Sequence, residues 1–269
     1  MRHTDLDIDH IGILGPDIDA LVVEYANIGF SIVGPAELTA VDVAGDTHSL
    51  GQQSAHIMFG KDYIELTAVS SKDPQHHLAN YLKARPGIRL LILASNDIHT
   101  SREQCLSSNM QPGDVQRAAR EITYGTPGHA QFTWFGLPAH DWPDVLVAFV
   151  QHESSDTVFQ ADAARHTNQA SGLKRLLHVG NDLPTRFECL PAGSTHRIES
   201  VSVADFQCAT GFEYCESSPL AAAVIGSHDL AATENALVGS GVPVAKLANG
   251  VATQMQSGIC LLFEPAELD

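Results

Sequence analysis

Two ionisable side chains, His10 and Glu65, lie in the middle of apolar segments that have the pattern of β-strands. The segments are residues 7–14 and 62–67. An ionisable group is costly to bury unless it is paired or bound to a metal. A neutral imidazole nitrogen and a carboxylate oxygen together suit Zn, Fe, Mn, Co or Ni. The two side chains are therefore candidate ligands of one divalent metal ion.

The alternation of side chains along a strand predicts which neighbours accompany each candidate. His10 is expected to share a face with Ile8 and Gly12, and Glu65 to share one with Tyr63. If both strands belong to one sheet, the imidazole and the carboxylate can converge over its concave face. The alternative is that His10 is a buried histidine with satisfied hydrogen bonds and that Glu65 is a solvated carboxylate at a sheet edge.

The elements that would position these side chains follow the order βαβββ. After the first strand, residues 17–29 carry apolar side chains at helical spacing, with Asp17 at the start and Gly29 at the end. About three further strands follow, and the last of them contains Glu65. A single curved sheet of this kind cannot cover its own concave face and needs a partner module.

A second copy of the same pattern begins at the strand 87–94. Alignment of the two copies places Leu90 at the position of His10, so the second module has lost that ligand. Its last strand places Gln151 at about the position of Glu65. The first 153 residues are thus predicted to form two paired modules.

Fainter copies follow a polar linker predicted at residues 154–171. In the remaining segment, residues 172–269, we expect degenerate modules 3 and 4. His178 takes the place of His10 in the third copy, and Glu264 echoes Glu65 in the fourth. Whether His178 and Glu264 form a second metal site is left open by the sequence.

Several short motifs together resemble the vicinal oxygen chelate superfamily, which includes glyoxalase I and the extradiol dioxygenases. These motifs are Asp9-His10-Ile11, Pro16-Asp17-Ile18, Gly29-Phe30 and Phe59-Gly60 followed by Tyr63-Ile64-Glu65-Leu66. A narrower resemblance is to glyoxalase-like domain proteins, in which a His-x-Asn-Gly-Ala motif follows the second module. The corresponding residues here are Phe149-Val150-Gln151 and then His166-Thr167-Asn168-Gln169-Ala170, in which Gln169 replaces the usual Gly.

The resemblance implies an α+β fold in which repeated βαβββ modules pair into a curved-sheet cup. It also implies a divalent metal (Fe, Zn, Mn, Ni or Co) on the floor of the cup, with His10 and Glu65 as ligands. A third ligand could be Gln151, which position favours, or His152, which ligand chemistry favours. Adjacent residues of a regular strand cannot both point inward. The missing ligand at Leu90 leaves open coordination positions, as catalysis requires.

A metal in such a cup predicts an enzyme that acts on a small substrate presenting two neighbouring oxygens. The reaction would be isomerase or lyase chemistry, or ring cleavage by a dioxygenase. Candidates for moving a proton are Glu65 itself, His56 and Tyr63, and His166 is a further pocket candidate. The alternative is a metal-free protein of the same fold that binds or sequesters a small molecule.

Composition restricts the partners. Fifteen Lys and Arg against 32 Asp and Glu give a net charge of −17, so we expect neither nucleic acid nor a membrane surface as a partner. A highly anionic substrate is disfavoured unless Arg89, Arg117, Arg120 or Lys174 lines the cup. No apolar segment approaches the roughly 18 residues of a membrane span, and we expect a cytoplasmic protein. The cup could form within one chain or across a homodimer.

Overall fold

The computed structural model describes residues 7–41, 44–74, 76–83, 86–180, 190, 197–216 and 218–266. The strands are β1 (Ile8–Leu14), β2 (Val33–Val41), β3 (Thr47–Met58), β4 (Tyr63–Val69), β5 (Gly87–Ala94), β6 (Gln116–Ile122), β7 (Gly128–Gly136), β8 (Leu146–His152), β9 (Ala170–Val179), β10 (Ile198–Val201), β11 (Leu220–Ser227), β12 (Val244–Leu247), β13 (Gly250–Gln254) and β14 (Cys260–Pro265). The helices are α1 (Ile18–Asn27), α2 (Ile98–Ser107), α3 (Ser155–Val158), α4 (Val203–Thr210) and α5 (Leu230–Ser240), with a 3₁₀ turn at Ala161–Ala164.

Strands β1 to β8 form a closed barrel in the order β1-β4-β3-β2-β6-β7-β8-β5. Each half is one βαβββ module, in which the first strand runs parallel to the last, β1 with β4 and β5 with β8. Antiparallel pairing of β1 with β5 and of β2 with β6 joins the two modules. The predicted α+β fold of paired modules is confirmed, and the two curved sheets close into a barrel.

The helix of each complete module begins with the same side-chain cap. Asp17, Asp97 and Asp229 each precede a helix, and each carboxylate accepts hydrogen bonds from two backbone N–H groups of the first turn. Such a cap satisfies donors that have no partner within the helix and favours helix initiation at that residue. The repeated aspartate therefore marks the start of α1, α2 and α5.

Strand β1 contains a bulge at Asp9. Ile8 pairs with Leu93 and His10 pairs with Ile92, so Asp9 is an extra residue with no counterpart on β5. The bulge breaks the alternation of side chains. Ile8 therefore packs into the apolar core outside the barrel, whereas His10 faces the interior. The prediction that His10 shares a face with Ile8 is wrong for this reason.

Close contact between the modules inside the barrel depends on Gly12. A Cβ atom at this position would lie 2.7 Å from the Cβ of Leu90 on β5. The absence of a side chain at Gly12 leaves room for Leu90 at the seam between the modules.

Strands β9 to β14 form a second sheet in the order β10-β9-β11-β14-β13-β12. The segment from β11 to β14 is a complete βαβββ unit, whereas the described residues of the third unit form β9, β10 and α4. One apolar cluster includes Ile11 and Leu91 of the barrel and Ala223 and Phe263 of the sheet, so the two packed bodies share a core. Helix α4 covers the other face of the sheet through Phe206.

The segment predicted as a linker is packed against the barrel and contains α3, the 3₁₀ turn and the first residues of β9. The side-chain amide of Asn168 donates to the carbonyl oxygen of Ile28 at the end of α1. Thr233 of α5 donates to the carbonyl oxygen of Asn168, which connects the segment to the second sheet.

Within the described ranges, the chain has no helix that combines the length and apolar character required to cross a bilayer.

Candidate active site

The interior of the barrel contains a cavity that is partly open to solvent. About 80 Å³ of it can be occupied by the centres of water-sized spheres, so it has room for a small molecule. The first module contributes mainly polar lining residues, among them His10, His56 and Glu65. The second contributes mainly apolar ones, such as Ile92 and Val150. The cavity therefore has a polar side that can do chemistry and an apolar side that can hold the body of a ligand.

The structure brings His10 and Glu65 together. His10 Nε2 lies 3.2 Å from Glu65 Oε2, and both side chains are almost fully buried. Their proximity follows from the register of the first module, in which Gly12, two residues beyond His10, is paired with Glu65 on the parallel strand β4. Burial disfavours the charged form of each, but the hydrogen bonds of His10 with Asp9 and Glu65 raise the pKa of His10, and the contact with His10 lowers the pKa of Glu65.

The carboxylate of Asp9 holds two imidazoles. Its Oδ1 lies 2.6 Å from His10 Nδ1, and its Oδ2 lies 3.1 Å from His152 Nε2. Although burial raises the pKa of Asp9, the hydrogen bonds to the two histidines prevail and lower it to about 2. A charged Asp9 therefore directs the Nδ1–H of His10 towards itself, and a metal ion between His10 and Glu65 would replace the proton that Nε2 donates to Glu65.

Three side chains orient Glu65 through one of its oxygens. Oε1 accepts hydrogen bonds from Ser54 Oγ at 2.5 Å, Thr67 Oγ1 at 2.6 Å and Gln52 Nε2 at 3.2 Å. The other oxygen, Oε2, faces His10. The carboxylate is thus held in one orientation with a single oxygen directed at the imidazole.

The two candidates for a third ligand lie on opposite faces of β8. His152 lines the cavity, whereas Gln151 faces outward and its Oε1 accepts a hydrogen bond of 2.8 Å from Ile98 N at the start of α2. The strand register also corrects the predicted equivalence of Gln151 and Glu65. In the first module His10 pairs with Tyr63, and in the second module the equivalent Leu90 pairs with Leu146. Ala148, two residues after Leu146, is therefore the equivalent of Glu65, which lies two residues after Tyr63.

One ring nitrogen of His152 has no partner in the described structure. Nε2 contacts Asp9, whereas Nδ1 is buried without a hydrogen bond. The Asp9 contact favours the tautomer with hydrogen on Nε2, so the lone pair is on Nδ1. This nitrogen is a candidate proton acceptor.

His56, Tyr63 and Arg120 form a layered cluster beside the pair of His10 and Glu65. His56 Nε2 contacts Arg120 Nη1, and the Arg120 guanidinium lies 5.6 Å from the centre of the Tyr63 ring. The ring of His10 stacks on Tyr63, with 4.2 Å between the ring centres. Tyr63 shares the inward face with Glu65 as predicted, but it contacts His10 rather than orienting Glu65.

Neither His56 nor Tyr63 is suited to accept a proton in this arrangement. Burial and the charge of Arg120 lower the pKa of His56 well below its ordinary value, and the contact with Arg120 uses its Nε2 lone pair. Burial raises the pKa of Tyr63 well above its ordinary value. The geometry favours a role for His56 in positioning Arg120 and a role for Tyr63 as a stacking surface.

The structure places His166 outside the cavity. Its Nδ1 accepts a hydrogen bond of 3.0 Å from Ser31 N, so its Nε2–H donates to the carbonyl oxygen of Met58 at 2.9 Å. Both ring nitrogens are thus used by the backbone. His166 joins the segment after β8 to the ends of α1 and β3 and has no nitrogen left for a ligand.

His178 and Glu264 are not brought together. On β11, His178 is level with Leu220 and Glu264 is level with Gly226, which places them about 20 Å apart along the strand. Glu264 instead forms a bidentate ion pair with Arg175, with N–O distances of 2.6 and 2.9 Å.

The donors in the cavity fit a divalent metal with two protein ligands, His10 and Glu65. Glu65 Oε2 and His10 Nε2 face each other, and hydrogen bonds hold the remaining atoms of both side chains. Across the part of the chain that the structure describes, no three or more His, Cys, Asp or Glu side chains are arranged so that they could hold a metal ion together. Any further coordination would have to come from substrate, from water or from a movement of His152.

Sequence reasoning missed Asp9 and the residues that orient Glu65. Asp9 stands next to His10 in an apolar strand, but strict alternation assigns it to the opposite face. Gln52 and Ser54 do carry a readable signal, because together with His56 they form polar positions at a spacing of two on β3.

Comparisons with known proteins bear on the fold and the family. A model of the glyoxalase-like domain family matches residues 8–190. No curated protein matches the chain. A solved structure of a hypothetical protein from Staphylococcus aureus is similar over 97% of this chain and 100% of its own, with 13% identity and a TM-score of 0.65.

A mutant of 4-hydroxymandelate synthase from Streptomyces coelicolor is similar over 98% of this chain and 94% of its own, with 10% identity and a TM-score of 0.54. Methylmalonyl-CoA epimerase from Mycobacterium tuberculosis matches 55% of this chain and 87% of its own, with 20% identity and a TM-score of 0.37. At these identities the two full-length matches demonstrate a shared fold.

Proposed function

Because the chain belongs to the glyoxalase-like domain family, within the vicinal oxygen chelate superfamily of metal-dependent isomerases and dioxygenases, we propose that it is a divalent-metal-dependent enzyme. Its substrate would be a small molecule with two neighbouring oxygens that chelate the ion. The reaction would be isomerase or lyase chemistry, or ring cleavage by a dioxygenase.

The observation that carries the proposal is the 3.2 Å approach of His10 Nε2 to Glu65 Oε2 in the barrel cavity. These two residues would hold the ion, and the proposed set of metals remains Fe, Zn, Mn, Ni or Co. When bound, the ion would supply Lewis-acid stabilisation of negative charge on a substrate oxygen. Asp9 supports the site from behind by fixing the orientation of His10.

His152 is the residue that we assign to proton transfer. Asp9 holds its Nε2–H, and its Nδ1 is buried, unpartnered and part of a side chain that lines the cavity. An imidazole held in one tautomer by a carboxylate is an effective proton acceptor when its free nitrogen faces the substrate. The apolar side of the cavity would exclude water from the transfer.

A second candidate function is metal-free binding of a small molecule in the same cavity. The observation in its favour is that Leu90 and Ala148 occupy the positions equivalent to His10 and Glu65, so the second module has no metal donor at either position. In this state a protonated His10 would donate hydrogen bonds to both Asp9 and Glu65 without an ion.

Elemental analysis of the purified protein, before and after reconstitution with each candidate metal, distinguishes the two functions. The enzyme proposal predicts about one ion per chain. Iron would favour oxygenase chemistry, whereas zinc or nickel would favour isomerase or lyase chemistry. Absence of a stoichiometric ion after reconstitution would favour the binding protein.

Variants locate the ion. His10→Ala and Glu65→Gln should each abolish stoichiometric binding, because each removes one of the two protein ligands. His140→Ala is the matched control, since His140 has a side chain that is 76% exposed. Undiminished metal in both cavity variants would contradict the assignment of His10 and Glu65 as ligands.

A further inference from the structure

Arg120 extends from β6 into the barrel and is buried there, with 7% of its surface exposed. One terminal nitrogen, Nη1, contacts His56 Nε2. The other, Nη2, is buried and has no hydrogen-bond partner among the described residues. The guanidinium also lies 5.6 Å from the centre of the Tyr63 ring.

The charge of Arg120 lacks a carboxylate partner in the described part of the chain. Its direct contacts are a neutral imidazole and the face of an aromatic ring. A guanidinium is always charged, and burial of such a group without an anion is costly. The nearby carboxylate of Glu65 is already held by Ser54, Thr67 and Gln52 through one oxygen and faces His10 with the other.

The other three basic residues that the sequence offers for an anionic substrate do not line the cavity. Arg89 Nη1 donates to the carbonyl oxygen of Asp144. Arg117 is exposed, and Lys174 pairs with Glu264 on the second sheet. Arg120 is therefore the one of the four that lines the barrel interior.

We propose that Arg120 binds a carboxylate of the ligand through Nη2, so that the pocket takes a small molecule with one carboxylate and a compact apolar body. The apolar body would contact the second-module side of the cavity, which includes Ile92, Phe132 and Trp134. This inference rests on the proposed function only in placing the substrate in the same cavity. It requires neither a metal nor a particular reaction.

A carboxylate suits the site better than a phosphate does. A phosphate dianion would have one guanidinium to balance its two charges, and the Glu65 carboxylate in the same cavity would repel it. A carboxylate carries one charge, and its planar oxygens match the geometry of a guanidinium N–H. The apolar lining beyond Arg120 disfavours a second charged group on the ligand.

Isothermal titration calorimetry on metal-free protein tests the proposal. The protein is treated with EDTA and desalted, and elemental analysis verifies removal of metal. The probes are two acids, benzoate and hexanoate, each compared with its neutral amide, benzamide and hexanamide. We expect each acid to bind about tenfold or more tightly than its amide, because only the acid forms a charge-assisted hydrogen bond with Nη2.

Two variants of β6 attribute the preference to one residue. Arg120→Met, which keeps the length of the side chain without its charge, should bind acid and amide within about twofold of each other. Arg117→Met, the control on the same strand, should retain the preference because Arg117 is exposed. Circular dichroism and thermal unfolding establish that both variants are folded.

Equal affinity for acid and amide in the unmodified protein would overturn the proposal, and this comparison is valid even if Arg120→Met does not fold. Persistence of the preference in a folded Arg120→Met protein would overturn it as well. Because the titration uses metal-free protein, failure of the metal proposal leaves this result unchanged. Conversely, a metal-loaded protein without acid preference would contradict only the assignment of Arg120.

Discussion

The carboxylate of Asp9 contacts the imidazole of His152 at 3.1 Å, although 143 positions separate the two residues in the chain. Asp9 lies on the bulge of β1 and His152 is the last residue of β8. Strand β5 stands between these strands in the barrel. The contact therefore joins the two modules at the cavity and makes one site from both of them.

The substitution Asp9→Asn should weaken binding of a divalent ion by about 10- to 100-fold, as is typical when a carboxylate behind a ligating histidine is removed. The reason is that Asn lacks the charge that directs His10 Nδ1–H and fixes the free lone pair on Nε2. Competition with a chromogenic chelator measures the affinity. Asp114→Asn, at a side chain that is 97% exposed, is the control. Equal affinity in the two variants would show that Asp9 does not support the ion.

The substitution Thr67→Val tests whether the orientation of Glu65 matters for metal binding. It removes one of the three donors to Glu65 Oε1 with little change in volume, and we expect a loss of affinity of about tenfold. Thr253→Val is a matched control, because Thr253 is equally buried and donates to the carbonyl oxygen of Pro243 on the second sheet. Both variants should lose about 1–2 kcal/mol of unfolding free energy. If the Thr67 variant binds the metal as tightly as the Thr253 control does, the orienting role is wrong.

Local signals in the chain were sufficient to predict the modules. The caps at Asp17 and Asp97 and the positive φ of 91° at Gly29 are local properties that appear directly in the residue types. The convergence of His10 and Glu65 followed from assigning them to the first and last strands of one module. In a βαβββ unit these strands pair in parallel, which brings them side by side.

The rest of the site depends on tertiary register, which residue types alone do not encode. The bulge at Asp9 arises where β1 meets β5, so it requires knowledge of which strands pair. The same holds for β8. Counting residues from the ends of the modules selects Gln151 as the equivalent of Glu65, but the pairing of β8 with β5 gives that position to Ala148. Closure into a barrel then brings Arg120 from β6 to His56 on β3.

The substitution His166→Ala should lower stability without changing metal content. It leaves the N–H of Ser31 and the carbonyl oxygen of Met58 without their buried partner, and it opens a cavity beside Phe30. We expect a loss of about 2–4 kcal/mol in unfolding free energy. Chemical denaturation and elemental analysis on the same preparation provide the two measurements. A fall in metal content of the folded variant would instead indicate a role in the site.

The contact between barrel and second sheet includes a buried carboxylate, Asp62. Its Oδ1 accepts a hydrogen bond of 3.1 Å from Leu173 N on β9, and its Oδ2 lies 3.1 Å from Arg197 Nη2. Burial raises the pKa of Asp62 from 3.8 to about 6, although the charge of Arg197 opposes the shift. The folded chain therefore holds this proton at pH values at which the unfolded chain has released it.

The sign of the pH dependence follows from that difference in proton binding. Between about pH 4 and 6 the folded state binds more protons at Asp62 than the unfolded state does, so this residue's contribution to stability is complete below pH 4 and is lost as the pH rises through 6. In Asp62→Asn the group cannot titrate. The unfolding free energy of the variant relative to the unmodified protein should therefore rise by about 2–3 kcal/mol from pH 4 to pH 7.

Urea denaturation at several pH values measures this difference, with Asp114→Asn as the exposed control. The control should remain parallel to the unmodified protein across the range, because the Asp114 side chain is 97% exposed in the folded chain. A curve for Asp62→Asn that is also parallel would mean that Asp62 has nearly the same pKa in the folded and unfolded chains. The attraction of Arg197 would then offset the cost of burying the carboxylate.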